Sequence, residues 1–340
     1  YLAAYDPAGK NHGIYLVDCF GNRELIWRQD GLICQDPIPL RARPVPPVIP
    51  PQATAPAVAG EPADEACGTV ALMNVYDSDF AWPAGTKITR LRIIQVLPKT
   101  TAPPNVPRIG AAQQSNARAV LGTVPVEPDG SCHFRLPAGK CVYFQALDES
   151  GAAVQSMRSA TYIQSGRVLS CQGCHEPKRT IPTAGAAVPM ALRRKPSEIT
   201  PECDDANPFN YVRLVQPVLD KHCVDCHRER KALDLSATPT KSGFVASYDN
   251  LAKKYGSFYD VLNGSFKTGR RGGSRSVAGQ VGAKAAGLMP YLGAKHCGVN
   301  LPAEDLRRIT LWLDCNSDFF GAYEDPKAQQ QGKAVQPALE

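Results

Sequence analysis

Two five-residue strings constrain this chain more than anything else in it: Cys171-Gln172-Gly173-Cys174-His175 and Cys223-Val224-Asp225-Cys226-His227. Both read CxxCH, the attachment signature of c-type haem. The chemistry explains the spacing. Cysteines three apart on a helical turn lie one above the other, so both sulfurs reach the two vinyl groups on one haem edge. The histidine that follows points its imidazole at the iron from the same side. A zinc site of two knuckles and a thioredoxin-like redox pair are the competing readings. With six histidines in 340 residues, chance would place one directly after both pairs on the order of three times in ten thousand. Forty-eight residues separate Cys174 from Cys223, more than the roughly 15 to 20 of a compact zinc ribbon. Two covalently bound haem c groups are therefore expected, one on Cys171, Cys174 and His175, the other on Cys223, Cys226 and His227.

Covalent haem attachment in bacteria takes place outside the cytoplasm, where disulfides also persist, so a periplasmic or extracellular address is expected. The eight remaining cysteines are an even number. Cys132 and Cys141 flank what reads as a strand, a Pro-Ala-Gly turn and a second strand, where a bridge between neighbours is geometrically easy. Cys19 with Cys34 and Cys297 with Cys315 are close in sequence, which leaves Cys67 and Cys203. Buried free thiols are the alternative for each pair, and spacing does not encode connectivity.

The composition, 43% hydrophobic and 21% charged, excludes wholesale disorder. No run approaches the roughly 18 to 20 apolar residues of a spanning helix, so no membrane span is expected. The chain opens at Tyr1 without a charged-then-apolar leader and reads as a processed chain or a fragment. Net charge is +6 but only 7% of residues are aromatic. The basic residues are scattered apart from Arg270, Arg271 and Arg275, which argues for solubility and against nucleic acid. That cluster suits haem propionates or an acidic redox partner, with an exposed loop as the alternative. No Ser-His-Asp triad or dinucleotide fingerprint is present, and residues 269–273 lack the strand-to-helix context of a phosphate loop.

Along the chain, apolar alternation over 13–18 and 23–28 predicts a β-hairpin within residues 1–36. Residues 37–66 form a proline-rich strap. Residues 67–200 read as a β-sandwich-like domain, with strands expected at 69–76, 88–97, 142–147 and 161–164 and the first CxxCH at its end. Residues 201–325 read as a mainly α cytochrome c-like domain. One helix over 211–220 runs into the second CxxCH, and another over 302–313 opens with Pro-x-Glu-Asp. Residues 326–340 are expected to be a loose tail. The fold class is thus multidomain α+β.

Several strings now carry a resemblance: Asp129-Gly130-Ser131, Gln155-Ser156-Met157-Arg158-Ser159, Ser170 through Glu176, Val215 through Cys223, and Trp312-Leu313-Asp314. Together they resemble the hydrazine synthase α-subunit-like family over nearly the whole length. The resemblance implies a β-propeller followed by a middle β region with one CxxCH and a C-terminal cytochrome c-like domain with another. Residues 1–36 are then the last strands of a propeller. It also implies, for the true α subunit, a tyrosine on the iron about one turn after the first motif, with the motif histidine serving zinc. Here Glu176-Pro177-Lys178-Arg179-Thr180 contains no tyrosine, which returns His175 to proximal ligation.

The second axial ligand decides between electron transfer, which fills it, and chemistry at iron, which leaves it open. For haem 2 the candidates are His296 and, as the competitor, Met289 in Gly287-Leu288-Met289-Pro290. For haem 1 they are His133, His222, Met157 or an open position. The reading is an extracytoplasmic dihaem cytochrome passing electrons between its haems and redox partner proteins, among them other multihaem cytochromes. Two alternatives stand beside it: a haem enzyme or hydrazine synthase-like subunit acting on a small nitrogen or oxygen species at an open haem 1, and a structural subunit of a multihaem assembly. A dihaem peroxidase would place its motifs farther apart than the 52 residues between Cys171 and Cys223.

Overall fold

The computed structural model describes residues 1–47, 66–113, 115–174, 187–204, 206–262, 265–268 and 276–339, apart from the side chains of 260–262 and 265–268. His175, the Arg270, Arg271 and Arg275 cluster, the strap beyond residue 47 and the stretch Glu176 to Thr180 lie outside the described residues. Two units are distinct, Tyr1–Ala53 and Thr54–Glu340.

In the first unit the expected hairpin is a three-stranded antiparallel sheet. β1 (Leu2–Tyr5) precedes β2 (Gly13–Val17) and β3 (Arg23–Trp27), in the order β1-β2-β3. The added strand, β1, has no signal in the sequence because four residues are too few to show a period. Asp18 closes the β2–β3 turn by accepting the N–H groups of Phe20 and Asn22, each at 2.9 Å. The side chain of Asn22 and these amides hold the Asp18 carboxyl below its ordinary pKa.

The second unit begins with seven strands: β4 (Cys67–Leu72), β5 (Arg90–Val96), β6 (Arg118–Pro125), β7 (Cys132–Pro137), β8 (Val142–Leu147), β9 (Ala153–Ser156) and β10 (Val168–Cys171). They form two sheets, β10-β4-β7 and β6-β5-β8-β9. Only β10 runs parallel to its neighbour. Residues 161–164, expected as a strand, contribute a single bridge from Thr161 to Val142. The strand that does lead to Cys171 is β10. β6 carries no clear strand pattern in the sequence because Gly122 and Pro125 interrupt it. Gly122 is required there: its φ is +136° and a Cβ would fall 2.2 Å from the Thr200 carbonyl oxygen.

Helices follow: α1 (Tyr211–Leu214), α2 (Gln216–His222), α3 (Val224–Glu229) and α4 (Ala246–Tyr255). A hairpin of β11 (Tyr259–Leu262) and β12 (Ser265–Thr268) separates them from α5 (Gly282–Ala285), α6 (Ala303–Asp314) and α7 (Pro326–Gln330). The architecture is therefore mixed sheets with short helices. No helix among the described residues is long and apolar enough to cross a membrane. At the start of the expected loose tail, α7 is anchored: Gln329 is buried, and its amide donates to Ala322 and Glu324 carbonyls at 3.0 and 2.7 Å. The polar glutamine run concealed this, since a buried glutamine is only as stable as the backbone partners that satisfy it.

β5 explains why sheets and helices form one unit. Its odd residues, Leu91 and Ile93, enter the core between the two sheets, with Phe134, Leu136 and Ala146. Its even residue Ile94 enters a second core with Tyr211, Leu214, Tyr248 and Trp312. A strand buried on both faces reads as a continuous apolar run. The exception inside that run is Arg92, completely buried. All five of its N–H groups are used: Nε and Nη2 on the Glu202 carboxylate at 2.5 and 2.6 Å, Nη1 on Asp314 and Gln145 at 2.8 Å each, and Nη2 again on the Gly151 carbonyl at 3.1 Å.

A second buried carboxylate, Asp318, accepts from Arg118 and Ser115 at 2.9 Å each on one oxygen, while its other oxygen has no partner. Burial pushes its pKa up to about 6, and the nearby Arg118 charge opposes that.

Two outcomes are expected. Arg92→Met leaves Glu202 and Asp314 buried without a counter-charge and should cost about 3 to 5 kcal/mol in denaturant-unfolding experiments. Asp318 binds its proton more tightly folded than unfolded, so its contribution is present below its unfolded pKa and is lost as pH rises through about 6. The fall in unfolding free energy between pH 4 and 7 should be shallower in Asp318→Asn than in the parent protein.

Candidate functional site: two cysteine pairs in different settings

The first cysteine pair is not helical. Cys171 is the last residue of β10, and residues 172–174 bend away from it along the chain segment that follows β4. Backbone bonds lace the two segments together: Met73 N–H to Cys171 O at 2.9 Å, Asn74 N–H to Gln172 O at 3.1 Å and Cys174 N–H to Asp77 O at 2.9 Å. Gly173 makes this approach possible, because a Cβ on it would lie 1.9 Å from the Asp77 carbonyl oxygen. Here the middle of CxxC needs glycine for backbone proximity.

Cys171 and Cys174 open onto a cavity of about 580 Å³ in the β-sandwich. Its walls are largely apolar, with Val70, Leu91, Phe134, Phe144 and Leu169 among them. Phe134 and Phe144 meet edge to face at 5.8 Å. Of the sequence candidates for this site, Met157 lines the cavity, and its sulfur accepts the Phe144 N–H at 3.4 Å. His133 does not line it. On β7 the residues Cys132, Phe134 and Leu136 face the sandwich core, and His133 alternates to the opposite side, where burial lowers its pKa. His222 is also elsewhere: its Nε2 sits 2.7 Å from Asp305, which it shares with Lys221. That contact, His222 first, keeps the Asp305 carboxyl below its ordinary pKa and ties α2 to the first turn of α6.

The second pair has the helical form. Cys223 joins α2 to α3, and the backbone N–H of His227 reaches the Cys223 carbonyl one turn back at 3.1 Å. Burial raises the Cys223 thiol pKa. His227 Nδ1 lies 2.9 Å from the carbonyl oxygen of Leu233. A carbonyl only accepts, so Nδ1 carries a proton, and Nε2 is the nitrogen left to act as a ligand atom. Across from it stands His296, ring centre to ring centre 6.0 Å, and Tyr291 meets His296 edge-on at 5.3 Å. Met289 is half-buried against the helical core at the start of a 3-10 turn, Met289–Tyr291.

No disulfide joins any of the twelve cysteines. The turn after β7 carries the chain from one sheet to the other, so Cys132 and Cys141 are not cross-strand neighbours as expected. Cys132 is buried and bonds the Pro125 carbonyl at 3.1 Å, while Cys141 is exposed. Cys315 is buried at the end of α6, whereas Cys297 is exposed and its sulfur takes an Arg230 N–H at 3.1 Å. Burial pushes the Cys132 and Cys315 thiols up to about 12 and Cys203 to about 11. The Leu233 carbonyl and the Asp77 contact had no signal in residue type, because both are backbone groups.

Comparison with known proteins adds the following. Residues 86–176 match the hydrazine synthase alpha subunit middle domain, a stretch that contains both central sheet strands and the first CxxCH. Kuenenia stuttgartiensis hydrazine synthase is similar in structure, with a TM-score of 0.54 at 18% identity, over 78% of this chain and 44% of that one. The chain thus spans less than half of that relative. No curated protein matches. The resemblance drawn from the sequence strings to hydrazine synthase α-like proteins is borne out by both matches.

Gly173→Ala should displace the cysteine loop from Asp77 and lower the thermal midpoint, whereas Gly139→Ala, where a Cβ would meet nothing within 4 Å, should cost only the strain of its positive φ. Differential scanning calorimetry of the two variants checks this.

Proposed function

We propose, taking the likeness to hydrazine synthase α subunits as the premise, that this chain is the dihaem part of a hydrazine synthase-like subunit. In this reading it works in an extracytoplasmic multisubunit redox complex, with haem 1 as the reaction centre for a small nitrogen species and haem 2 as an electron relay. When bound, the two groups supply one-electron transfer and, at an iron with an exchangeable position, a place for that species.

The residues fit two haem c groups. The observation that carries the reading is the facing pair His227 and His296. An imidazole nitrogen stands about 2 Å from a metal it ligates, so two rings across one metal have centres roughly 6 Å apart, and the separation here is 6.0 Å. Cys223 and Cys226 would hold haem 2 by thioethers, within a cytochrome c-like arrangement of α1 to α6. The Leu233 carbonyl fixes the His227 tautomer and ring plane. Two imidazoles fill both axial positions, which suits electron transfer and lowers the potential relative to histidine with methionine.

Cys171, Cys174 and His175 would hold haem 1. The 580 Å³ cavity beside those cysteines is within the size range of cofactor sites, and aromatic and aliphatic side chains make up most of its lining. Among the described lining residues Met157 alone offers a ligand atom besides the cysteines, and its sulfur already accepts a backbone N–H. This supports an iron open to substrate in preference to a second capped haem, and it favours the enzyme-subunit reading over the simple carrier.

The pyridine haemochrome assay should find two haems per chain, and zero or one would refute the reading. Electron paramagnetic resonance of the oxidised protein should show one low-spin species, and the reduced protein should take up nitric oxide at one haem. His296→Ala should add a high-spin signal. Two low-spin signals with no uptake of nitric oxide would make the chain an electron carrier only.

A further inference from the structure

The sandwich cavity is mostly apolar, with Gln155, Ser156, Ser159 and Thr161 among its polar lining residues. Among its described lining residues the one charged side chain is Arg158, with Ser276 beside it. Arg158 follows β9 and is exposed, so it stands where the cavity meets solvent. Two of its contacts seat the guanidinium. Nε donates to the Ser276 hydroxyl at 3.1 Å, and the head group lies over the Tyr259 ring, 3.2 Å from the ring centre. The Tyr259 hydroxyl donates to the same Ser276 oxygen at 3.1 Å. Three residues more than 100 positions apart at the extremes thus build one rigid cationic corner. Such a cation–π seat directs the edge of a planar guanidinium and suits bidentate recognition of a carboxylate.

A haem attached through its vinyl edge has two propionate carboxylates at another edge, and those need a cation or water. We infer that Arg158, seated on Tyr259 and Ser276, is the propionate clamp of the haem held by Cys171 and Cys174. This rests on the proposal that these cysteines carry haem. With that haem bound, the clamp would hold and neutralise propionate charge at the cavity mouth, while Phe134, Phe144 and Leu91 would supply apolar walls. Positive charge near the ring opposes the ferric state, so its loss lowers the reduction potential. The Arg270, Arg271 and Arg275 cluster is not needed for this haem.

The test compares Arg158→Gln, which keeps most of the volume, and Arg158→Lys, which keeps the charge, by spectroelectrochemical titration and resonance Raman of the full chain. In Arg158→Gln the haem at Cys171 and Cys174 stays covalently attached, its potential falls, and the propionate-bending band shifts. Arg158→Lys should restore most of the potential but not the band. An unchanged potential and band in both variants, with haem attached, would overturn the clamp alone. A parent protein whose digest shows no haem on the Cys171–Cys174 peptide would overturn the underlying haem reading, and the clamp with it.

Discussion

The second unit depends on a single fully buried cation. Arg92 sits at the centre of β5 and donates its five N–H groups to a carboxylate before α1, a carboxylate at the end of α6, a strand amide and a turn carbonyl. A buried charge of this kind is tolerable only when every donor is matched, because the desolvation penalty is several kcal/mol. The Asp314 carboxylate is matched as well: besides Arg92 it accepts the N–H groups of Ala153 at 3.0 Å and Ala283 at 2.8 Å. Burial raises the Asp314 pKa and the Arg92 charge opposes that rise. The cluster therefore fixes β5, β8, β9, α5 and α6 to one another, and the β and helical regions share a unit.

That constraint matters for the two cysteine pairs. Sheet β6-β5-β8-β9 forms a wall of the cavity beside Cys171 and Cys174 on one face, while its other face packs on the core that supports α2, α3 and α6. A shift of this sheet would move both sites. One layer thus supports both cysteine pairs, and sites on regular elements are held more accurately than sites on loops.

The two CxxCH strings, alike in sequence, fold differently. Cys223 to His227 takes the helical turn that the spacing argument assumed. Cys171 to Cys174 is a strand end and a bend, pinned by a glycine against the Asp77 carbonyl. In the proposed reading each pair would bind a haem through two thioethers, one from a helical turn and the other from a strand end and a bend. What differs is the surroundings: an imidazole pair in one case, and an apolar chamber with one cation at its mouth in the other. This difference supports the proposed division of labour.

By itself the sequence determined the cysteine pairs, the histidine after each, the β-then-helix order and the likeness to hydrazine synthase α-like proteins. Each of these is carried by residue type at short spacing, which local chemistry can read. His296 was legible as a partner for His227 only as one of two candidates. The tertiary structure alone decided that His133 turns from the cavity, since one register step reverses a strand side chain, and that His222 is engaged by Asp305. It alone joined Arg158, Tyr259 and Ser276, and it alone kept the paired-looking cysteines apart by sending β7 and β8 to different sheets. Contacts across 100 residues and bonds to backbone carbonyls leave no local periodicity, so no reading of the chain in one dimension contains them.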